Sequence, residues 1–347
     1  QSSLLIKKKM NDKNGIAFSH LNIGKVMTEN RQFSDALDNY EKAKKVISEL
    51  DDKIGLGSIF SSIGRLYFYM SDPKNAVHHL KESFKIYSDI NYFAAKGECL
   101  TYIATCYSAM GDNDKALKYF NESYLLMNEL GNKSMVAFIY RNMGNIFFTK
   151  FDIDRSISLF DKSLNISRSL GAKSAIANTL VEYGLVNTFM AEYEKAVRSY
   201  EEALKFFENQ KNNHAISNIL TNMGYVYLSQ SKYEKSLKCF KSSLKNLKKL
   251  KMENSFLGIS TQAAKLLALK NLNLDFDREY FFKLTKDIEE LDYSLNLMSF
   301  DLTGNNLYIK NANGQIQEII SKIDNELGNK FMSYPIPKRI LEEYKKL

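Results

Sequence analysis

The sequence contains few residues that break helices and few that build catalytic or metal sites. Only 3 prolines occur in 347 residues, which leaves long stretches free to form helices. There are 4 histidines and 3 cysteines, and tryptophan is absent. No apolar run reaches the roughly 18 residues needed to cross a bilayer, so we predict no membrane-spanning segment.

No residues have the spacing of a catalytic or metal site. None of the histidines (His20, His78, His79 and His214) stands at ligand spacing with cysteine or carboxylate residues. The chain has neither a phosphate-binding glycine loop nor a Gly-Xaa-Ser-Xaa-Gly elbow. We therefore predict a non-catalytic chain with no cofactor and no metal ion.

The cysteines are odd in number and badly placed for pairing. Cys99 and Cys106 are seven residues apart on one predicted helix, a rise of roughly 10 Å, which is too long for a disulfide. Together with the third, Cys239, they favour reduced thiols and a cytoplasmic protein. An exported protein with a signal peptide before Gln1 is the alternative.

A repeat of forty residues runs through most of the chain. Each copy has three columns of small residues, a large residue between the second and third, and usually a bulky one after the first. A period of this length indicates a repeat array. The first small column is Gly24, Gly64, Ala104, Gly144, Gly184 and Gly224, the second Ala36, Ala76, Ala116, Ser156, Ala196 and Ser236, the third Ala43, Ser83, Ser123, Ser163, Ala203 and Ser243, and the large column Tyr40, Leu80, Phe120, Phe160, Tyr200 and Phe240.

The columns have a simple explanation in helix packing. Where two helix axes approach closely only Gly, Ala or Ser fits, and a large residue one turn away fills the adjoining gap. In the fourth copy, apolar residues fall at three- and four-residue steps on both sides of a polar break at Asp152–Asp154. This pattern predicts an all-α fold, an α-solenoid of antiparallel helix pairs.

These columns resemble the tetratricopeptide repeat (TPR). The resemblance covers 17–250 and comprises six repeats. The forty-residue period and the polar links ending in lysine ("NDK", "DDK", "GNK", "GAK") are similar to kinesin light chains, Pins-type adaptors and bacterial TPR regulatory proteins. The family implies a right-handed superhelix whose concave groove binds a peptide or a protein segment.

The ends of the chain depart from the repeat. Ser3 holds the phase of a second helix, so we interpret 1–16 as the remnant of a preceding repeat and the chain as part of a longer protein. We predict a degenerate seventh repeat or cap at 251–300, since the last pair of a solenoid has no neighbour to cover it. For 301–347 we predict an irregular segment and a final C-terminal helix; within the segment we expect a loop leading into a helix from about Gln315, and a short hairpin through Asn313-Gly314 is the alternative.

The net charge of +8 raises nucleic acid as a partner, but its distribution argues against it. Most lysines lie beside acidic residues on predicted outer helix faces, as solvated surfaces do. The exception is Lys235–Lys251, which has seven lysines and no acid after Lys235. We interpret this run as a polar outer face, and a patch for phosphate or an acidic partner is the alternative.

The family resemblance also places a groove on the first helix of each pair. Asn recurs in one column, where an amide can bond a peptide backbone whatever its sequence; a plain solvated face is the alternative. The predicted peptide-binding residues are Asn22, Lys25, Ser62, Arg65, Tyr102, Thr105, Arg141, Asn142, Asn145, Glu182, Asn222, Tyr225, Gln262 and Lys265.

We therefore predict a protein-protein or peptide-binding module, acting as an adaptor or as the sensory region of a larger protein. The alternatives are a peptide-sensing bacterial regulator, the sensory domain of a membrane-anchored kinase, and an oligomerising scaffold that forms a homo-oligomer. Clamping of a chaperone C-terminus is excluded, because Glu182 stands where that clamp needs an Asn and would repel a carboxylate.

Overall fold

Helices of 16 or 17 residues alternate with short links along most of the chain. A computed structural model describes residues 7, 10, 12–285 and 291–347. These residues form 18 helices and no strand, which confirms the all-α prediction. The helices are α1 Lys13–Glu29, α2 Phe33–Ser48, α3 Lys53–Tyr69, α4 Pro73–Asp89, α5 Phe93–Ala109, α6 Asn113–Glu129, α7 Lys133–Thr149, α8 Ile153–Ser169, α9 Lys173–Phe189, α10 Tyr193–Asn209, α11 Asn213–Ser229, α12 Tyr233–Lys249, α13 Phe256–Asn271, α14 Arg278–Thr285, α15 Tyr293–Thr303, α16 Asn306–Lys322, α17 Asn325–Ser333 and α18 Pro335–Tyr344.

Aspartate caps start many of these helices. The carboxylate of Asp52 accepts a hydrogen bond of 2.8 Å from the Gly55 N–H at the start of α3, and Asp112 does the same for Lys115 at 3.2 Å. Such a bond satisfies one of the four N–H groups that a helix start leaves unpaired. At these helices, the polar link residues seen in the sequence therefore fix where the helix begins.

A left-handed residue ends most of the helices, and these residues recur every twenty positions. The links contain Gly111, Gly131 and Gly171 at positive φ, but equivalent links place non-glycine residues such as Phe151 and Ala191 there. For a residue with a Cβ atom this conformation costs about 1–2 kcal/mol. Close packing of the helices on either side must offset that cost.

Gly131 tests this link geometry. Its φ is +67°, and no atom lies within 4 Å of the position that a Cβ would take. Gly131→Ala should therefore lower the free energy of unfolding by about 1 kcal/mol through backbone strain alone. Urea denaturation followed by circular dichroism measures the change. An unchanged or higher stability would contradict the left-handed link.

The chain divides into two compact units, Gln1–Ile146 and Phe147–Leu347. In the first unit, α1 packs with α2, α3 with α4 and α5 with α6, and successive pairs stack. The small columns lie at the contacts, since a Cβ on Gly24 would come within 2.6 Å of the Tyr40 ring. A serine of the third small column also forms a hydrogen bond between helices, since Ser83 Oγ donates to the Gly57 carbonyl at 2.8 Å.

In the second unit the repeats continue through α9 and α10, then α11 and α12, and α13 packs on α12. A hydroxyl network joins three helices here. The Thr221 hydroxyl lies 2.9 Å from that of Ser243 and 2.8 Å from that of Thr261, all three being buried. Small polar residues thus satisfy one another where the helices are closest.

The C-terminal helices complete the second unit. α15 packs on α13 and α16, and α18 packs on α16 and α17. Their apolar core contains Ile309, Ile316 and Phe331, against which Phe151 and Phe189 pack from the α7–α8 link and α9. The remnant helix predicted around Ser3, and residues 286–290 of the predicted cap, lie outside the described residues.

The structure differs from the prediction of an irregular segment after residue 301. α16 is one helix through Asn313 and Gly314, a pair that is typical of turns. Asn305 caps it by accepting a bond from the Leu307 N–H, and Ile309, Ala312 and Ile316 form a buried stripe. Burial of that stripe outweighs the roughly 1 kcal/mol that an interior glycine costs.

None of the described helices is long and apolar enough to cross a membrane. Cys99, Cys106 and Cys239 are free thiols, and the first two are buried. Burial raises the pKa of Cys99 and of Cys239 to about 11, so neither thiol is activated as a nucleophile at neutral pH.

Candidate functional site

In the first unit, the predicted binding residues lie on one face of the first helix of each pair. Asn22 and Lys25 are exposed on α1, whereas Arg65 on α3 and Tyr102 on α5 are half-buried. The guanidinium carbon of Arg65 lies 4.8 Å from the centre of the Tyr102 ring. This cation–π contact joins two successive repeats on that face.

Several of the predicted polar groups bond to their own helix. Ser62 is buried and donates to the Ser58 carbonyl at 2.8 Å, and Thr105 donates to the Thr101 carbonyl at 2.9 Å. Asn142 Nδ2 donates to the Phe138 carbonyl at 2.7 Å. The amide column therefore offers a ligand mainly its carbonyl oxygens, as acceptors for backbone N–H groups.

Asn145 and Arg141 complete the predicted set on this unit. Asn145 Oδ1 is buried and accepts no hydrogen bond from the described residues, which leaves an acceptor for a donor. The Arg141 guanidinium lies 5.0 Å from the centre of the Phe138 ring on the same helix, so its position is restrained before any ligand binds.

In the second unit, the predicted residues have mixed positions. Glu182 and Asn222 are half-buried, and Asn222 Nδ2 donates to Asn218 Oδ1 at 2.8 Å. Tyr225 packs edge-on against Phe240, and burial raises its pKa to about 12, which keeps the phenol neutral. Lys265 is half-buried, and its pKa is lowered first by loss of water and then by Lys241.

Gln262 is covered and does not reach a ligand in this conformation. It is 8% exposed, accepts a hydrogen bond from the Tyr280 hydroxyl of α14, and donates to the Glu253 carbonyl at 3.4 Å. The sequence column places Gln262 on the groove face, but helix α14, which follows the repeats, buries it. Repeat phase alone could not reveal that cover.

A cavity of 660 Å³ lies in the second unit, and its size is typical of small-ligand sites. Asn222 and Tyr225 of the predicted set contribute to its wall, together with residues of α9 to α13. Phe148 of α7 and the C-terminal helices α15 and α18 contribute the remaining wall. The apolar and aromatic lining comprises Phe148, Leu185, Phe189, Tyr193, Tyr200, Leu228, Tyr233, Leu267, Leu297, Met298, Pro335 and Ile336.

The charged groups on the cavity wall all form hydrogen bonds within the protein. Arg339 of α18 donates to both carboxylate oxygens of Asp301, at 3.0 and 2.5 Å. Lys270 of α13 donates to the backbone carbonyls of Asp301 and Leu302, at the end of α15. Burial raises the pKa of Asp301, while Arg339 acts to lower it. The cavity wall is thus mostly apolar and neutral, with one excess positive charge from Arg339, Lys270 and Asp301 together.

Sequence reasoning missed the C-terminal wall of this cavity. Pro335, Ile336 and Arg339 stand more than a hundred residues beyond Asn222, and no repeat phase relates them to it. The sequence signal that could have pointed to this wall was the apolar stripe of the C-terminal helix α18. In the described part of the chain, no three His, Cys, Asp or Glu residues are grouped to hold a metal ion.

Solved structures similar to this chain are helical repeat proteins. They include aspartyl phosphate phosphatase F from Bacillus subtilis (TM-score 0.62, 13% identity, covering 83% of this chain and 74% of that chain). They also include the Rap conjugation gene regulator of plasmid pLS20, in complex with the Phr* peptide (TM-score 0.61, 16% identity, covering 91% of this chain and 78% of that chain). The apo form of the quorum sensor NprR from B. thuringiensis is a third (TM-score 0.60, 14% identity, covering 97% of this chain and 90% of that chain). At these identities the likeness shows the fold alone.

No curated protein matches the sequence. The family model described as the tetratricopeptide repeat matches residues 15–89, 97–169, 135–209 and 175–249, which together cover more than half of the chain. The match agrees with the helix pairs, the small-residue contacts and the capped links. The chain belongs to the tetratricopeptide repeat family.

Proposed function

We propose that this chain is a non-catalytic module that binds a peptide or a short protein segment on the inner faces of its first helices. The observation that carries this proposal is the cavity of the second unit, which is large and mostly apolar, and whose charged side chains are all hydrogen-bonded within the protein. A partly open cavity of this size suits one bulky side chain of a peptide better than the broad surface of a folded partner.

The amide of Asn222 supports a peptide as the ligand. It lines the cavity, and the bond to Asn218 fixes its NH₂ group and leaves its oxygen as an acceptor. A peptide whose apolar side chain enters the cavity would bring a backbone N–H past this oxygen. Among the similar structures, the Rap regulator was solved with a peptide, which is consistent with this mode.

The peptide would act as a signal or as a docking segment. We place the module in the cytoplasm, since its cysteines are free thiols and two of them are buried. Of the alternatives, peptide sensing fits a concave cavity of this size better than an oligomerising scaffold does, because a scaffold needs a broad surface.

A cavity-blocking variant tests the proposal. Ser229 is exposed at the end of α11 and lines the cavity, so Ser229→Trp should place an indole in it without disturbing the core. Peptides selected on the full chain from a random decapeptide library should bind this variant at least about tenfold more weakly in fluorescence anisotropy, since a loss of roughly 1.4 kcal/mol is a factor of ten.

The matched control is Ser242→Trp on the exposed outer face of α12. It should bind the same peptides as the wild type does, and both variants should melt like the wild type. Failure to select any peptide, or equal binding by the two tryptophan variants, would contradict the proposal.

A further inference from the structure

The exposed side of α12 carries a row of lysines. Each of them lies three or four residues from another, which places them on one side of the helix, while the opposite side is buried. A favourable interaction with the helix C-terminus accounts only for the two lysines of the last turn. We call the row the basic face, and it comprises Lys238, Lys241, Lys245, Lys248 and Lys249.

The charge of the basic face is not neutralised within the described part of the protein. None of its lysines forms an ion pair there. From Lys235 to Phe256 the sequence has seven lysines, and Glu253 is the single acid. On α13, loss of water lowers the pKa of Lys265, and the nearby Lys241 lowers it further. The positive surface therefore extends from α12 towards α13 and attracts polyanions.

Two exposed apolar side chains stand at the end of the basic face. Leu250 follows α12 directly and is 37% exposed, and Phe256 begins α13 and is 57% exposed. The link of residues 250–255 between the two helices is tightly folded. The Met252 N–H donates to the Leu247 carbonyl at 3.0 Å, and the Ser255 N–H donates to the Met252 carbonyl at 3.1 Å. Leu250 and Phe256 thus belong to one short turn at the end of the lysine row.

Earlier links in the chain lack this combination. Leu130 and Leu170 occupy the position of Leu250 in previous repeats, and they are 46% and 43% exposed. The five residues before them are LLMNE and NISRS, which contain no lysine, whereas the five before Leu250 are KNLKK. An exposed leucine here is a feature of the repeat, but its lysine-rich surroundings are particular to the link between α12 and α13.

We propose that the basic face and the link after it form a docking surface for an anionic phospholipid bilayer. The lysines would lie among the headgroup phosphates, and Leu250 and Phe256 would enter the apolar boundary beneath them. None of these residues lines the cavity, so this inference is independent of the proposed function.

The residue types favour lipid over nucleic acid. A lysine ammonium is a point charge, which suits a fluid array of phosphates, whereas base recognition relies largely on the planar fork of arginine. Residues 235–251 contain no arginine. Leu250 has no ring that could stack on a base, but an exposed leucine beside lysines gains free energy by entering a bilayer interface.

Sedimentation with vesicles measures the binding. The full chain should bind vesicles of phosphatidylcholine that contain about one third phosphatidylglycerol, but not vesicles of phosphatidylcholine alone, and added salt should weaken the binding. The Lys241→Gln/Lys245→Gln/Lys248→Gln variant should bind the anionic vesicles at least about tenfold more weakly, because each lysine contributes near an anionic surface.

The matched control is Lys85→Gln/Lys118→Gln/Lys205→Gln. It removes the same charge from exposed positions of α4, α6 and α10. These lysines lie outside the docking surface, so the control should bind the anionic vesicles within about twofold of the wild type. Both variants should melt like the wild type, since every substituted side chain is exposed.

Tryptophan fluorescence tests the insertion itself. The chain has no tryptophan, so Phe256→Trp supplies a single fluorophore. Its emission should shift to shorter wavelength with the anionic vesicles and stay unchanged with phosphatidylcholine alone. The control is Phe93→Trp, because Phe93 begins α5 as Phe256 begins α13 and is 47% exposed. Its emission should not shift with either kind of vesicle.

Four outcomes would overturn the inference and leave the proposed function standing. The first two are absence of binding to the anionic vesicles and an equal loss of binding in the two lysine variants. The third is unchanged emission of the tryptophan at position 256 with the anionic vesicles. The fourth is tighter binding of a short DNA duplex than of the anionic vesicles at the same salt, which would assign the basic face to nucleic acid.

Discussion

Phe331→Ala should lower the free energy of unfolding of the second unit by about 3–5 kcal/mol, the range for loss of a buried aromatic side chain. Phe331 is 0% exposed. Its ring centre lies 4.2 Å from that of Phe151, 6.3 Å from that of Phe189 and 6.2 Å from that of Tyr293. The ring therefore joins the C-terminal helices to α9 and to the link before α8, and its loss leaves a void among aromatic rings.

Urea denaturation measures this change, and hydrogen exchange of α17 and α18 locates it. The control is Phe282→Ala, which removes a side chain that is 45% exposed and should change stability by well under half as much. Because α18 supplies part of the cavity wall, the Phe331 variant should also bind selected peptides more weakly. A stability loss equal to that of the control would contradict the packing of the C-terminal helices described above.

Gly224→Leu should destabilise the chain by about 1–3 kcal/mol or more through overpacking. A Cβ atom at this position would lie 2.3 Å from Cε1 of Phe240, a ring that is 0% exposed and cannot move aside without disturbing α12 and α13. Helix propensity acts the other way, since leucine is more favourable than glycine by roughly 0.8 kcal/mol. The steric term exceeds the propensity term here.

The matched control is Gly314→Leu. Gly314 lies inside α16, is exposed, and has no atom within 4 Å of the position of a Cβ. Only propensity acts there, so this variant should be more stable by roughly 0.8 kcal/mol. Thermal melts and urea denaturation show whether each variant is more or less stable than the wild type. Two variants that shift in the same direction would contradict the assignment of Gly224 to a helix contact.

The candidate site was predictable where the repeat itself sets the direction of a side chain. Lys25, Arg65 and Tyr102 belong to columns at fixed distances from the small residues, and the structure places all three on the same face of neighbouring first helices. Helical periodicity is a local property, so one sequence suffices to assign these faces. Which polar groups stay available was not predictable, because Ser62 and Asn142 bond to carbonyls of their own helices.

The sequence by itself determined the helix pairs, since the small columns and the capping aspartates act within forty residues. Only the tertiary structure decided the rest. The continuous helix α16 through Gly314, the cover over Gln262, and the pairing of Arg339 with Asp301 all depend on segments outside the repeat. The physical reason is burial, because the apolar stripes of α14 to α18 must pack against apolar surface elsewhere in the fold. The segments they pack against are distant in sequence, and this packing sets the local structure and completes the cavity wall.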